Sequence, residues 1–385
     1  MVRNKSVLVC CGTKFHSDYM ASQLDKHGLL NKVVTAHPKS RYLNRVSLKK
    51  GKIKFLPPFF AVVYLFNKLG LGTSKVAKYL NYRLPLWYDS VASLFIGDST
   101  ISITWAWAGL STIKKIKAKG GIAIVEECGS CNIAQNKILD TEYRALNLRF
   151  NKKTPDFILQ RELKEVTLAD YILCPSRYVA SSFIDAGIPE NKCVIIPYGA
   201  NLKLFMPAST PKDEFSILFV GTIGVRKGLI YLFKALEILS QKYNLKCVLI
   251  GSVEEQFRGI MEKYATLFTH IPRVPHHRLI EHYNKASVFV FPSLDEGMAY
   301  VQLEAMACGL PVICTPNSGG DSVISDGTDG FVIPIRDEVA IADKIEYLYL
   351  HPLESQRMGN SAAGKARQFS WDSYGDKLVN FIQSL

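Results

Sequence analysis

Two glutamates eight residues apart, Glu296 and Glu304, stand in an otherwise largely apolar segment, PSLDEGMAYVQLEAMACGLPVI at 292–313. Glu296 falls in a loop after a strand-like run, where a carboxylate can accept hydrogen bonds from sugar hydroxyls. Glu304 lies about two turns into the helix that follows, within reach of a ribose. A surface position is the plain alternative for Glu304. Leu303, Ala305, Met306 and Ala307 around it are apolar, however, and an unpaired carboxylate in that setting is costly. Upstream, Gly221-Thr222-Ile223-Gly224-Val225-Arg226-Lys227-Gly228 follows a strand pattern and precedes a helix pattern. Glycines there let backbone N–H groups approach an anion, and the two cations can neutralise phosphates. The segment is neither a Walker loop nor G-x-G-x-x-G, and a tight turn with exposed Arg226 and Lys227 is the competing reading. Ser318-Gly319-Gly320-Asp321 supplies a third glycine turn on the same sheet edge.

The elements that must position these loops alternate strand and helix along the chain, which predicts doubly wound parallel sheets with ligand at the carboxyl ends of their strands. Residues 6–11 read as a buried strand, and Tyr19, Met20, Leu24 and His27 mark a helix ending at Gly28. Strands follow at Lys32–Thr35, Ser102–Trp105, Ile122–Val125, Tyr171–Cys174 and Cys193–Ile196. A polar helical region covers 135–170. Pro197-Tyr198-Gly199-Ala200-Asn201 and then Pro207–Asp213 read as an inter-domain linker. A second series follows with strands at Ile217–Val220, Cys247–Ile250, Val288–Phe291, Pro311–Cys314 and Phe331–Ile333, and a last helix from Ser370-Trp371 to Leu385.

The composition, 48% hydrophobic and 21% charged over 385 residues, suits two globular domains. No window carries the roughly 18–20 apolar residues of a membrane span. MVRNKSVLVCCG lacks the core and cleavage site of a signal peptide, so a cytoplasmic location is expected. Nine scattered cysteines suit buried thiols, and the Cys128/Cys131 pair lacks the further ligands of a metal site; a redox role for it is the minor reading.

The net charge of +13 is concentrated. Between Asp25 and Asp89 no acidic residue occurs, while thirteen lysines and arginines do, from Lys26 to Arg83. Within that stretch, Phe55–Phe66 (FLPPFFAVVYLF) is apolar, broken by Pro57 and Pro58 and flanked by lysines. It is too short to span a bilayer. The reading favoured is an interfacial segment on anionic lipid, with the basic 39–83 stretch as the contact, over a core helix with a solvated basic face. A nucleic-acid partner lacks a recognition motif.

E-x7-E within PS-x-x-EG…LEAMACGLPVI, preceded by strand-G…RKG-helix, resembles the retaining GT-B glycosyltransferases of family 4. LADYILCPSRYVASSFIDAGIPENKCVIIPYGANLKLF resembles that family's approach to the inter-domain hinge. The likeness is good over about 160–385 and loose over the first 150 residues. It implies two Rossmann-like doubly wound domains facing a cleft: 1–203, joined by a returning helix at about 370–385, for the acceptor, and 208–369 for the nucleotide sugar. Arg226 and Lys227 would bind the donor diphosphate, Glu296 the transferred sugar and Glu304 the ribose. Gly12, Gly221, Thr222, Gly297, Met298, Ala299 and Gly320 would complete the donor site.

Thr222 stands where the family often has arginine, and the paired glycines of the first loop are reduced to Gly12-Thr13. The family's N-domain histidine has no counterpart between Glu127 and Asn132. Ser130, Asn132, His16 and Lys14 are the acceptor-side candidates. The implied reaction is retaining transfer of a hexose-type sugar from a UDP- or GDP-linked donor to a glycan or lipid-linked hydroxyl, in surface polysaccharide or lipopolysaccharide synthesis. It needs no cofactor and no metal, and runs peripherally on the inner face of the membrane. An epimerase or hydrolase on the same scaffold, a phosphorylase with a pyridoxal lysine and a non-enzymatic membrane-associated binding protein are the alternatives.

Overall fold

Val7–Cys11 (β1) is buried at every position, as a strand covered on both faces must be. It lies inside a seven-stranded parallel sheet with β2 (Leu30–Thr35), β3 (Ile53–Phe55), β4 (Ile101–Trp105), β5 (Ile122–Glu126), β6 (Tyr171–Cys174) and β7 (Cys193–Ile195). The order is β3-β2-β1-β4-β5-β6-β7. A second parallel sheet contains β8 (Ser216–Val220), β9 (Lys246–Ile250), β10 (Thr269–Ile271), β11 (Val288–Phe291), β12 (Val312–Cys314) and β13 (Gly330–Val332), ordered β10-β9-β8-β11-β12-β13. The chain therefore has two Rossmann-like domains, as expected. This computed structural model describes residues 5–12, 15–44, 46–70, 75–150, 154–201, 203–208 and 214–385. Lys14 and most of the expected linker Pro207–Asp213 lie outside them.

In each sheet the order reverses at the first strand, with Val7 opposite Ile101 and Val288 opposite Ile217. Such reversals open a crevice at the carboxyl ends of the strands, and both candidate loop sets emerge there. The helix Trp371–Ser384 returns to the first domain and packs on the helix Ser17–Lys26. Tyr19 and Trp371 stack at 4.2 Å, Gln23 Nε2 donates to Asp372 at 2.8 Å, and Gly375 leaves no room for a side chain against Gln23. The chain crosses between domains as a pair of strands of backbone: Ala200 N–H donates to Phe369 O at 2.8 Å, and a Cβ on Gly199 would strike the Ser370–Trp371 backbone.

Several details differ from expectation. Strands β3 and β10 are three residues each, too short to leave a pattern in the sequence. The polar region 135–170 is two helices, Asn132–Ala145 and Asp156–Leu168. Pro57 and Pro58 do not break the apolar segment; they form the first turn of a helix, Pro57–Lys68, where a missing N–H costs nothing. That helix packs on a second one, Lys75–Ala92. No helix among the described residues is long and apolar enough to cross a membrane. All nine cysteines are free thiols, Cys128 and Cys131 included.

Candidate active site

After β8 the chain makes a single 3-10 turn, Val225–Lys227, before entering the helix Leu229–Ser240. Gly228 between them has φ +64°, and a Cβ there would lie 2.0 Å from the Pro292 carbonyl oxygen. Only glycine fits both demands. The close pass presses Arg226 and Lys227 against the loop that leaves β11, where Leu294 N–H donates to Arg226 O at 2.9 Å. Arg226 Nη1 donates to Asp295 O and to Glu296 Oε2, each at 2.8 Å. Lys227 Nζ pairs with the same Glu296 oxygen and stands over the Phe291 ring. Burial, helped by the neighbouring guanidinium of Arg226, pushes the Lys227 ammonium down to about 7, while Asp295 and Glu254 act the other way. Two cations thus converge on one carboxylate at a strand's carboxyl end. Thr222, at the lip of the same loop, is exposed.

The Glu296 loop is braced from below. Glu296 N–H donates to Asn317 O at 2.8 Å, Asn317 Nδ2 to Leu294 O at 2.8 Å, and Ala299 N–H to Ser318 O at 3.3 Å. Gly320 lies beneath it with its α-carbon against Cys314, where a Cβ would come within 2.1 Å of the sulfur. Glu304, on the helix Tyr300–Ala307, is 6% exposed and fully engaged: Tyr283 donates to Oε2 at 3.1 Å and His276 Nε2 meets Oε1 at 2.8 Å. This pairing answers the cost that its apolar neighbours impose. Tyr283 and His276, 21 and 28 residues away, carried no local signal.

The two domains touch at this loop. A Cβ on Gly297 would lie 1.8 Å from Cys128 O, Ser176 Oγ donates to Gly297 O at 2.7 Å, and Tyr198 N–H points at Met298 Sδ at 3.3 Å. Asp295, 1% exposed, accepts from three residues of the first domain: Ser130, Gln135 at 2.6 Å and Tyr178 at 2.7 Å. Ser130, an acceptor-side candidate, is thereby committed to the domain contact. Sequence reasoning passed over Asp295 because its neighbour Glu296 carried the motif.

The first domain holds a cavity of about 600 Å³ at the carboxyl ends of its strands. Gly12, Ser130 and Asn132 line it, as do Phe59 and Leu84 from the two helices of the basic segment. Asn132 is held by Glu162, through its backbone N–H at 3.0 Å and its side-chain amide, and accepts from Thr154 at 3.0 Å. His16 is 2% exposed, 3.1 Å from Glu126 Oε1 and ringed by Trp105, Tyr198, Trp371 and Tyr374. Its ring packs the domain contact behind the cavity. His16, Glu126 and Cys128 bring ligand atoms within 4.8 Å of one another. Burial and Glu126 push the Cys128 thiol well up, which favours the protonated sulfur over a metal-binding thiolate.

Paired Rossmann-like domains with the last helix returned to the first define the GT-B architecture. The likeness spans the chain: Anabaena HepE in complex with UDP aligns over 99% of this chain and 100% of its own, with a TM-score of 0.67 at 13% identity, a likeness of fold alone. Residues 203–365 match the family model of the glycosyl transferases group 1. The capsular polysaccharide biosynthesis glycosyltransferase CapM of Staphylococcus aureus is 38% identical over 184 residues, 44% of this chain and 47% of its own length. The D-inositol 3-phosphate glycosyltransferase of Paenarthrobacter aurescens is 32% identical over 203 residues, 48% of this chain and 50% of its own. The chain spans about half the length of these curated relatives.

Proposed function

We propose that the protein is a retaining glycosyltransferase that moves a hexose-type sugar from a UDP- or GDP-linked donor to a hydroxyl of a glycan or lipid-linked acceptor in surface polysaccharide or lipopolysaccharide synthesis. The observation that carries this reading is the convergence of Arg226 and Lys227 on Glu296 at the edge facing the first domain. Without donor, the carboxylate neutralises both cations. A diphosphate takes its place as counter-ion and releases Glu296 to the hydroxyls of the transferred sugar. As the glycosidic bond breaks, charge develops on the leaving phosphate, and the preorganised cations stabilise it where it appears. The departing phosphate oxygen accepts the proton of the attacking hydroxyl, so no protein base is required. With two cations on the diphosphate, a divalent ion is unnecessary, and no cofactor takes part.

Glu304 reaches the ribose, with Gly221, Thr222, Gly297, Met298, Ala299 and Gly320 shaping the donor site. Residues 208–369 form the donor domain, and 1–203 with 370–385 the acceptor domain. The UDP in the structure of Anabaena HepE and the polysaccharide role of the relative CapM support the donor and pathway classes. The basic 39–83 segment supports a peripheral position on the cytoplasmic face of a membrane.

The test is transfer itself. A panel of nucleotide sugars is screened for thermal stabilisation, and the best is incubated with and without acceptor in the presence of EDTA. Acceptor-dependent turnover that Glu296→Ala abolishes is expected. Equal turnover without acceptor would make the protein a hydrolase, and full activity in Glu296→Ala would leave a binding protein.

A further inference from the structure

The cavity of the first domain has a marked chemical asymmetry. Phe59, Leu84, Tyr88, Trp105 and Trp107 make up much of its wall, and no lysine or arginine lines it among the described residues. Glu126, Glu127 and Glu162 also line it. Glu162 is committed, and Glu126 through one oxygen, its Oε2 being without a hydrogen-bond partner among the described residues. Glu162 accepts from the Asn132 backbone and side chain and from the Trp107 indole at 3.2 Å; Glu126 accepts from the Tyr198 hydroxyl at 3.2 Å and meets His16. Glu127, 3% exposed, has an oxygen, Oε1, with no hydrogen-bond partner among the described residues. An unmade bond on a buried carboxyl is costly and marks a position completed by something else.

The wall beside it is held in a strained form. Trp107 has φ +69°, a conformation that bulky residues rarely adopt. It is fixed by Glu165, which accepts from its N–H at 2.6 Å, and by Arg161, whose Nε donates to its carbonyl at 2.7 Å. Arg161 in turn pairs with Asp89 at 2.6 Å. A buried polar network thus presents an indole ring to the cavity, and such strain persists where the surroundings over-determine it.

Building on the transferase reading, we infer that this cavity takes an acceptor that is uncharged and apolar at its buried end, and that Glu127 is the positioning residue that meets its hydroxyl. Burial, then Glu162, Glu165 and Glu126 in turn, push the Glu127 carboxyl well above the usual range, which favours its neutral form. A neutral carboxyl both donates and accepts, which matches a hydroxyl's own pair of roles. A phosphate or carboxylate placed at the same end faces the Glu126 and Glu162 carboxyls and meets no described cation. The apolar wall instead suits an alkyl or aromatic group next to the reacting sugar.

Trp105 and Trp107 report on the cavity directly. The full chain is titrated with n-octyl β-D-glucoside, below its micelle concentration, and with n-octyl phosphate, following tryptophan emission; UDP and GDP affinities are measured in parallel by calorimetry. The glucoside is expected to saturate the signal, with the phosphate at least ~tenfold weaker. Glu127→Ala is expected to weaken the glucoside by ~tenfold or more, whereas Glu127→Gln, which keeps a donor and an acceptor without charge, stays within ~threefold. Unchanged UDP affinity in both variants shows that they are folded. An unsaturable response, equal affinity for the phosphate, or wild-type binding by Glu127→Ala overturns the inference. Wild-type protein that binds the glucoside as expected but neither UDP nor GDP sinks the transferase reading and leaves the cavity assignment standing.

Discussion

The Tyr178 hydroxyl of the first domain donates to the Asp295 carboxylate of the second at 2.7 Å. Ser130 and Gln135 join it on the same group, so one buried carboxylate takes three donors from across the cleft. Asp295 also neighbours Glu296, and its backbone carbonyl accepts from Arg226. The domain contact and the proposed donor site are therefore built on adjacent residues. Asp295→Ala leaves the buried Ser130 and the half-buried Gln135 and Tyr178 without their acceptor and is expected to lower stability by about 2–3 kcal/mol in urea unfolding. The variant should also loosen the closed pair, seen as a larger radius of gyration by small-angle scattering. An unchanged scattering profile would mean that Asp295 does not hold the domains together.

Glu304 separates structural from ligand roles cleanly. Glu304→Ala orphans the buried Tyr283 hydroxyl, a loss of about 1–3 kcal/mol. Glu304→Gln keeps an acceptor for Tyr283 and should melt near wild type. If the carboxylate binds a ribose, both variants lose UDP affinity by roughly 10–100-fold, because charge-assisted bonds are the stronger ones. If Glu304 serves only Tyr283 and His276, melting falls in Glu304→Ala while calorimetry with UDP gives wild-type affinity for Glu304→Gln.

Much of this was legible before the structure. β8 and β11 are buried throughout and read as unbroken apolar runs, the signature of strands covered on both faces. The glycine turn with Arg226 and Lys227 was legible because a close approach of backbone demands glycine at Gly228. What stayed hidden depends on pairs far apart in sequence. Asp295 meets Ser130, Gln135 and Tyr178 across 165, 160 and 117 residues, and no local pattern encodes that. The same distance concealed the fates of the acceptor-side candidates. Ser130 and Asn132 read as acceptor-side candidates, but their partners Asp295 and Glu162 come from other elements. Glu127, in the same loop, drew no notice because a glutamate there looks solvated until three more carboxyls are folded around it.

Lys227 gives the proposed donor site a pH dependence. Its ammonium is pushed down to about 7 from an ordinary value of 10.5, so the unliganded fold releases a proton near neutrality that the unfolded chain still holds. Stability therefore rises with pH between those two values. Ligand binding has the opposite sign. A diphosphate favours the charged ammonium, so above about pH 7 binding must recruit a proton. UDP affinity is expected to be flat just below pH 7 and to fall by up to roughly tenfold per unit between pH 7 and 9, with proton uptake seen as buffer-dependent calorimetric enthalpy. Because the terminal phosphate of UDP titrates near 6, this window belongs to the protein. Lys227→Arg, whose guanidinium stays charged, should bind with no such slope.

The basic segment folds so that one helix pair serves two surfaces. Phe59 and Leu84 face the cavity, while Tyr64, Leu65, Tyr79 and Trp87 are each more than half exposed on the outer faces of the same helices. Spacings of three and eight residues along Lys75–Ala92 put the exposed Val76, Tyr79 and Trp87 on one stripe, with Lys68 exposed on the neighbouring helix. Aromatic and aliphatic side chains beside lysines suit the boundary between headgroups and acyl chains. Vesicles containing anionic phospholipid should carry the protein upward in flotation, and neutral vesicles should not. Added salt should weaken the attachment, because the attraction to headgroups is screened within about 8–10 Å. Leu65→Asp with Tyr79→Asp removes apolar contact from the outer face while leaving Phe59 and Leu84 in place, so flotation should fail while UDP binding persists. Equal flotation with neutral and anionic vesicles would show that the lysines and arginines of 39–83 do not set the membrane preference.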